Sequence, residues 1–314
     1  MRYRTLGTSG IEVSRIGFGT WALGGGHWGE ADDRQSIAAI HAAIDAGVNL
    51  IDTAPAYGKG RAEEVVGKAI RGRRDRVVIA TKCGLHAAGE TFLHVLRPGE
   101  IRKELEASLG RLGVEAIDLY QCHWPDPDTP IEDTMAEMAA MRDEGKIRAI
   151  GVSNFDKALL ARALAAAPVV SLQPPYSILQ RGIEADLLPF CRDRSVGVIS
   201  YGTLGGGILT GKYAEPPSFP GSDCRSFFYP FYREPHWSRA AGILAAMRGI
   251  AGRRGRPVAH VAINWVLQQP GITAALVGAR TPAQAVLNAG ALGWDLAPEE
   301  LAAISAACDR AFTE

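Results

Sequence analysis

The sequence has no excess charge of either sign: 34 basic and 34 acidic side chains among 314 residues give a formal net charge of +0. Nucleic acid and anionic bilayers are held through accumulated positive charge, so neither is an expected partner. Cysteine is scarce. The five present (Cys83, Cys122, Cys191, Cys224, Cys308) form no C-x-x-C pair, the usual spacing of zinc and dithiol redox sites, and reduced, mostly buried thiols are expected. H-E-x-x-H and His-x-His spacings are missing too, so no metal is expected. No run approaches the roughly 18 apolar residues of a spanning helix. Residues 1–7 are not followed by the apolar run of a secretory signal, and a cytoplasmic location is expected.

What the sequence does contain is alternation. After an N-terminal stretch able to form a hairpin, extended segments at 16–20, 49–52, 77–82, 117–123, 147–153, 169–173, 197–201 and 272–278 are separated by segments of helical spacing. Asp32-Asp33 is placed to cap a helix over 34–46, Thr129-Pro130 one over 131–144, and Thr281-Pro282 one over 283–291. Repeated strand-helix units imply parallel strands with right-handed crossovers, and this number closes into a (β/α)8 TIM barrel. No linker interrupts the series, so 1–314 reads as one domain. The exception is 213–237, rich in proline and aromatics, which reads as a long loop after the seventh strand, acting as a lid or binding loop.

Barrel active sites form at the C-terminal ends of the strands. Those ends carry Asp52, Lys82, His123, Ser153-Asn154, Gln173, Tyr201 and Gly278. Leu50 shares a face with Asp52, Ala80 with Lys82 and Leu119 with His123, which places apolar residues inside and polar ones at the rim. A single such residue is ordinarily a cap or a solvated charge, but their convergence describes a working mouth. An ammonium there needs a partner, and Asp52 is the natural one for Lys82. Five residues beyond Asp52 stands Tyr57, whose phenol a nearby ammonium would make a usable acid by stabilising the phenolate. An imidazole within reach can orient a substrate oxygen. The set suits protonation of an oxygen.

Over nearly its whole length the sequence resembles the aldo-keto reductases. The resemblance rests on Gly17-Phe18-Gly19-Thr20-Trp21, on Asp52 through Tyr57-Gly58 to Glu63-Glu64 and Gly67, and on Ala80-Thr81-Lys82, Gln121-Cys122-His123-Trp124 and Gly151-Val152-Ser153-Asn154-Phe155. It implies a catalytic tetrad of Asp52, Tyr57, Lys82 and His123, with Tyr57 as general acid in carbonyl reduction, Lys82 paired to Asp52 tuning it, and His123 placing the carbonyl. It further implies that Ser153, Asn154 and Gln173 bind the nicotinamide amide and that Tyr201 lies beneath its ring. Gly202 and the stretch from Leu204 through Gly206 to Gly211 and Lys212 would pass under the pyrophosphate. Thr203 departs from the proline expected there.

Two glycine-bearing segments compete as a dinucleotide site. Gly24-Gly25-Gly26-His27-Trp28-Gly29 fits G-x-G-x-x-G after a strand, but its helix starts beyond Gly29, at Asp32-Asp33, so a flexible substrate-side loop is the better reading. Gly278-Ala279-Arg280 runs into a capped helix, and a helix N-terminus beside a guanidinium suits phosphate. Gln284 and Asn288, four apart, share a face able to meet adenosine. By the resemblance, Arg280 contacts a 2′-phosphate, implying NADP(H). Trp21 and Trp124 are candidate substrate-pocket walls, with aromatics of 213–237, while His86 and His94 read as surface or loop residues. The expected protein is a monomer or weak homo-oligomer acting on a small carbonyl compound. Two alternatives stay open: an NAD(P)-dependent sugar or polyol dehydrogenase on the same scaffold, and a nucleotide-sensing regulatory subunit.

Overall fold

The computed structural model describes residues 1–88 and 91–313. Its strands are β1 (Tyr3–Thr5), β2 (Glu12–Ser14), β3 (Ile16–Gly19), β4 (Leu50–Asp52), β5 (Val78–Cys83), β6 (Leu85–Ala88), β7 (Thr91–His94), β8 (Ile117–Cys122), β9 (Ile147–Ser153), β10 (Val169–Gln173), β11 (Gly197–Ser200) and β12 (Ile272–Gly278). The helices are α1 (Asp33–Asp45), α2 (Arg61–Ala69), α3 (Pro98–Leu112), α4 (Ile131–Asp143), α5 (Lys157–Ala166), α6 (Leu187–Asp193), α7 (Cys224–Phe227), α8 (His236–Arg254), α9 (Val258–Leu267), α10 (Pro282–Ala289) and α11 (Pro298–Thr313).

Eight strands close a parallel barrel in the order β10-β11-β12-β3-β4-β5-β8-β9, the expected (β/α)8 TIM barrel. Each expected strand is present, with its ends moved by at most one residue. The barrel interior is filled by Leu50, Val78, Ala80, Leu119, Ala149, Ile199, Ala274 and Leu276. The β1-β2 hairpin contributes Leu6, Ile11 and Val13 to the same cluster and closes the N-terminal end. Only the opposite end is left for polar chemistry.

Local signals explain most helix starts. Asp32 accepts the Arg34 and Gln35 amides at α1, and Thr281 accepts the Gln284 amide at α10. Thr129 does not cap α4: Pro130 holds the cap position, and the Thr129 hydroxyl donates to Asp126 Oδ2 at 2.7 Å. Asp126 also accepts the Leu96 and Asp128 amides at 2.8 and 2.9 Å, so the hydroxyl serves the turn after β8 instead.

The stretch 213–237 is the expected long connection after the seventh barrel strand, and it carries two short turns, α7 and a 3-10 turn at Pro230–Tyr232, before entering α8 at His236. Its rings pack on one another, with Phe219 and Tyr232 centroids 4.9 Å apart, and the Arg225 guanidinium lies 4.1 Å from the Phe219 ring. Burial of aromatics supplies the order that prolines would otherwise deny. His86 and His94, read as surface or loop residues, lie on a second hairpin, β6-β7, with His94 exposed and His86 half-buried. All four residues of β7 are exposed, so no apolar alternation announces the strand. No helix among the described residues is long and apolar enough to cross a membrane.

Candidate active site

Lys82 is fully buried beside Asp52, which is 2% exposed. Its ammonium donates to Asp52 Oδ2 at 2.7 Å, to the Thr53 carbonyl at 3.0 Å and to the Tyr57 hydroxyl oxygen at 3.2 Å. An ammonium has three donors, and all three are used. Because Lys82 donates to the Tyr57 oxygen, the phenol's own proton is left for another acceptor. Behind this set Glu63, also fully buried, accepts the Thr81 hydroxyl and Arg111 Nε, each at 2.6 Å. It ties the lysine strand to α2 and α3.

Burial dominates the electrostatics. It pulls Lys82 down from its ordinary value, against the pull of Asp52 and Glu63. Tyr57 was expected to be lowered by the ammonium, yet burial, helped by Asp52, carries it well above 10. The physical reason is that Lys82 is itself paired to a carboxylate, so the phenol meets a nearly neutral pair in a desolvated site. His123 is pushed well below 6.5 by burial first, then by Lys82 and His94, so its imidazole is neutral.

The Tyr57 and His123 rings meet edge-on with centroids 5.8 Å apart. Neither His123 ring nitrogen is bonded to another described residue, nor is either sealed in the interior. Above Tyr57, Trp21 lies nearly parallel at 6.1 Å and meets Trp28 at 5.5 Å, Phe228 at 5.2 Å and Tyr229 at 6.5 Å. Trp124 stacks on His94 at 5.9 Å. Trp28 belongs to the Trp21 wall, as the substrate-side reading of 24–29 allows, whereas His94, beside Trp124, sits on a hairpin that no sequence pattern announces.

The facing edge is a hydrogen-bonded chain. Ser153 Oγ donates to the Gln173 carbonyl at 2.8 Å, and Asn154 Nδ2 donates to the His123 carbonyl at 2.9 Å and to Ser153 Oγ at 3.1 Å. Tyr201 donates its hydroxyl to Asn154 Oδ1 at 2.9 Å, which fixes its ring. Gln173 Nε2 donates to Asp52 Oδ1 at 2.8 Å, leaving Gln173 Oε1 with no donor among the described residues.

Beyond Tyr201 several glycines leave open space beside the backbone. A Cβ on Gly202 would meet nothing within 4 Å, one on Gly278 only the Gly19 carbonyl at 3.5 Å, and one on Gly207 only the Tyr232 hydroxyl and the end of Lys212 near 3.9 Å. Leu204 is half-buried, and Gly206 packs against the Tyr229 ring, which would lie 2.8 Å from a Cβ there. Thr203, in place of proline, is buried and donates to the Leu276 carbonyl at 2.9 Å, anchoring the segment to β12. Lys212 and Arg280 have no carboxylate partner among the described residues; the Arg280 guanidinium donates to the Trp28 carbonyl at 3.3 Å and to the Glu30 carbonyl. Gln284 and Asn288 both turn back on the strand end, accepting the Arg280 amide at 2.8 Å and donating to the Gly278 carbonyl at 3.2 Å.

The aldo/keto reductase family model matches residues 15–309. The chain belongs to the aldo/keto reductase family. It is 44% identical to aldo-keto reductase YhdN of Bacillus subtilis (strain 168), over 96% of this chain and 91% of that one. It is 38% identical to an NADH-specific methylglyoxal reductase of Escherichia coli (strain K12), over 94% and 95%. Among solved structures it resembles the glycerol dehydrogenase AKR11B4 from Gluconobacter oxydans, with a TM-score of 0.89 and 41% identity over 97% and 94% of the two chains. Aldo-keto reductases are oxidoreductases that act on carbonyl groups with nicotinamide cofactors. The residues present fit such a group: glycines Gly202, Gly207 and Gly278 with open space beside them, two cations without carboxylates in Lys212 and Arg280, and a free amide oxygen and a free imidazole in Gln173 and His123. A cleft of about 650 Å³ between α2 and α3 carries four cations, of which Lys68, Arg74 and Arg111 are paired to Asp33, Asp118 and Glu63 while Arg71 has no such partner among the described residues; it contains none of the residues at the strand ends of the barrel.

Proposed function

We propose that this chain reduces aldehydes or ketones to alcohols with NADP(H), using Asp52, Tyr57, Lys82 and His123 as its catalytic residues. The observation that carries the reading is Lys82, donating at once to Asp52 and to the Tyr57 hydroxyl oxygen at the mouth of the barrel. The bound dinucleotide supplies the hydride. Tyr57 delivers its proton to the carbonyl oxygen, and Lys82 steadies the phenolate left behind. His123, neutral and with free ring nitrogens, holds that oxygen by a hydrogen bond. Ser153, Asn154 and Gln173 frame the carboxamide, and Tyr201 supports one face of the ring so that substrate takes the other.

The Gly202–Lys212 segment, Gly278, Gln284 and Asn288 cradle the rest of the dinucleotide. Arg280, lacking a carboxylate, is the receptor for a 2′-phosphate and favours NADP(H), although one relative is NADH-specific. Trp21 and Trp124 wall an apolar substrate pocket. Residues 1–314 act as one domain, of which Gly89, Glu90 and Glu314 lie outside the described residues. A second reading, polyol oxidation, is favoured by the likeness to a glycerol dehydrogenase and uses the same residues in reverse. Tyr57→Phe separates these chemistries from mere nucleotide sensing: it should keep cofactor binding, read by tryptophan fluorescence, and lose nearly all turnover. Unchanged turnover would overturn the assignment.

A further inference from the structure

Gln121 is a fully buried amide in the barrel interior, on the inward face between Leu119 and His123. A buried amide is costly unless its groups are paired. Its oxygen lies 3.3 Å from Gln173 Nε2, and its nitrogen 3.5 Å from the same Asp52 Oδ1 that Gln173 Nε2 reaches at 2.8 Å. A carboxylate oxygen only accepts, so the Gln173 group facing Asp52 must be its NH2, and the Gln121 atom beside that NH2 must be oxygen. Both N–H bonds of Gln173 are thus held, one by Asp52 and one by Gln121. The neighbouring strand makes room for this: a Cβ on Gly151 would lie 2.9 Å from Gln121 Cγ.

We infer that Gln121 is a positioning residue that, together with Asp52, locks the Gln173 amide by holding its second N–H, so that Gln173 presents a carbonyl oxygen, and not an NH2, to the cofactor. The ligand group it selects is a hydrogen-bond donor, the NH2 of a carboxamide. The inference rests on the proposed placement of Gln173 against the nicotinamide. Without the Gln121 oxygen, one Gln173 N–H is unpaired and the amide swings about its single bond to Asp52.

The test compares binding of NADP+ and its 3-acetylpyridine analogue, which replaces the carboxamide NH2 with a methyl, by tryptophan fluorescence. The parent chain should prefer NADP+ by roughly three- to tenfold, the size of one hydrogen bond. In Gln121→Met this preference should fall toward unity while affinity for the analogue stays within about twofold, since lost packing would weaken both ligands alike. Gln121→Leu, which removes the same oxygen at similar volume, should narrow the preference in the same direction and serves if the first variant does not fold. A preference unchanged in a folded variant overturns the role of Gln121. No preference in the parent chain overturns the placement of Gln173 and the inference with it.

Discussion

Gly24 and Gly58 meet backbone to backbone: a Cβ on Gly58 would fall 2.1 Å from the Gly24 carbonyl oxygen, and one on Gly24 2.6 Å from the Tyr57 carbonyl carbon. The glycine-rich segment after β3 is therefore a wedge that locates Tyr57, and not the phosphate-binding turn its pattern resembles. Gly58 also has φ +65°, a region that disfavours side chains.

Gly58→Ala should consequently lower kcat by about tenfold or more, through displacement of the phenol, while cofactor affinity changes by about twofold or less. Steady-state kinetics with a fluorescence titration checks this. Unaltered kcat would show that the contact does not position Tyr57.

The Asp52–Lys82 pair predicts a specific pattern of stability. Removing one partner of a buried pair costs about 3–5 kcal/mol, because the other charge is left uncompensated. Asp52→Leu and Lys82→Met should each destabilise by about that amount, and the double variant by less than their sum. Denaturant unfolding of all three, compared with the parent chain, measures the coupling; additive losses would mean the pair is not coupled.

Histidine sets the acid side of the stability curve. His123 and His260 are both held below 6.5, chiefly by burial, so the unfolded chain takes up protons that the folded chain refuses. Their contribution is present above the unfolded value of 6.5 and is lost as pH falls below it toward the folded values. Stability should drop between about pH 7 and 5, and His123→Gln should flatten that slope. An unchanged slope would refute the neutral buried imidazole.

Tyr57 governs the alkaline side of activity. With its phenol held well above 10, reduction should show no loss from Tyr57 ionisation between about pH 6 and 9, whereas alcohol oxidation, which needs the phenolate, should climb through the same range. Opposed profiles for the two directions, abolished together in Tyr57→Phe, are the expected result.

Arg280, the proposed phosphate receptor, also holds the chain itself. Its bonds to the Trp28 and Glu30 carbonyls tether the segment that carries Trp28 into the aromatic wall. Arg280→Ala should weaken NADPH more than NADH and raise substrate KM even with NADH. Equal weakening of both dinucleotides would remove the case for phosphate recognition.

The barrel strands were legible residue by residue because buried parallel strands are short β-branched runs with turn residues between them, a local property. Asp52, Lys82, His123 and Gln173 could be placed at one rim for the same reason, since strand parity and strand ends are read along the chain. Tertiary structure decided the rest. The upward shift of Tyr57 depends on how deeply a phenol and an ion pair are buried together, the amide chain of Gln121 and Gln173 on three strands meeting in one layer, and the order of 213–237 on rings from distant positions closing over Trp21. Periodicity follows from neighbours along the chain; desolvation and hydrogen-bond partners follow from neighbours in space, which no single segment specifies.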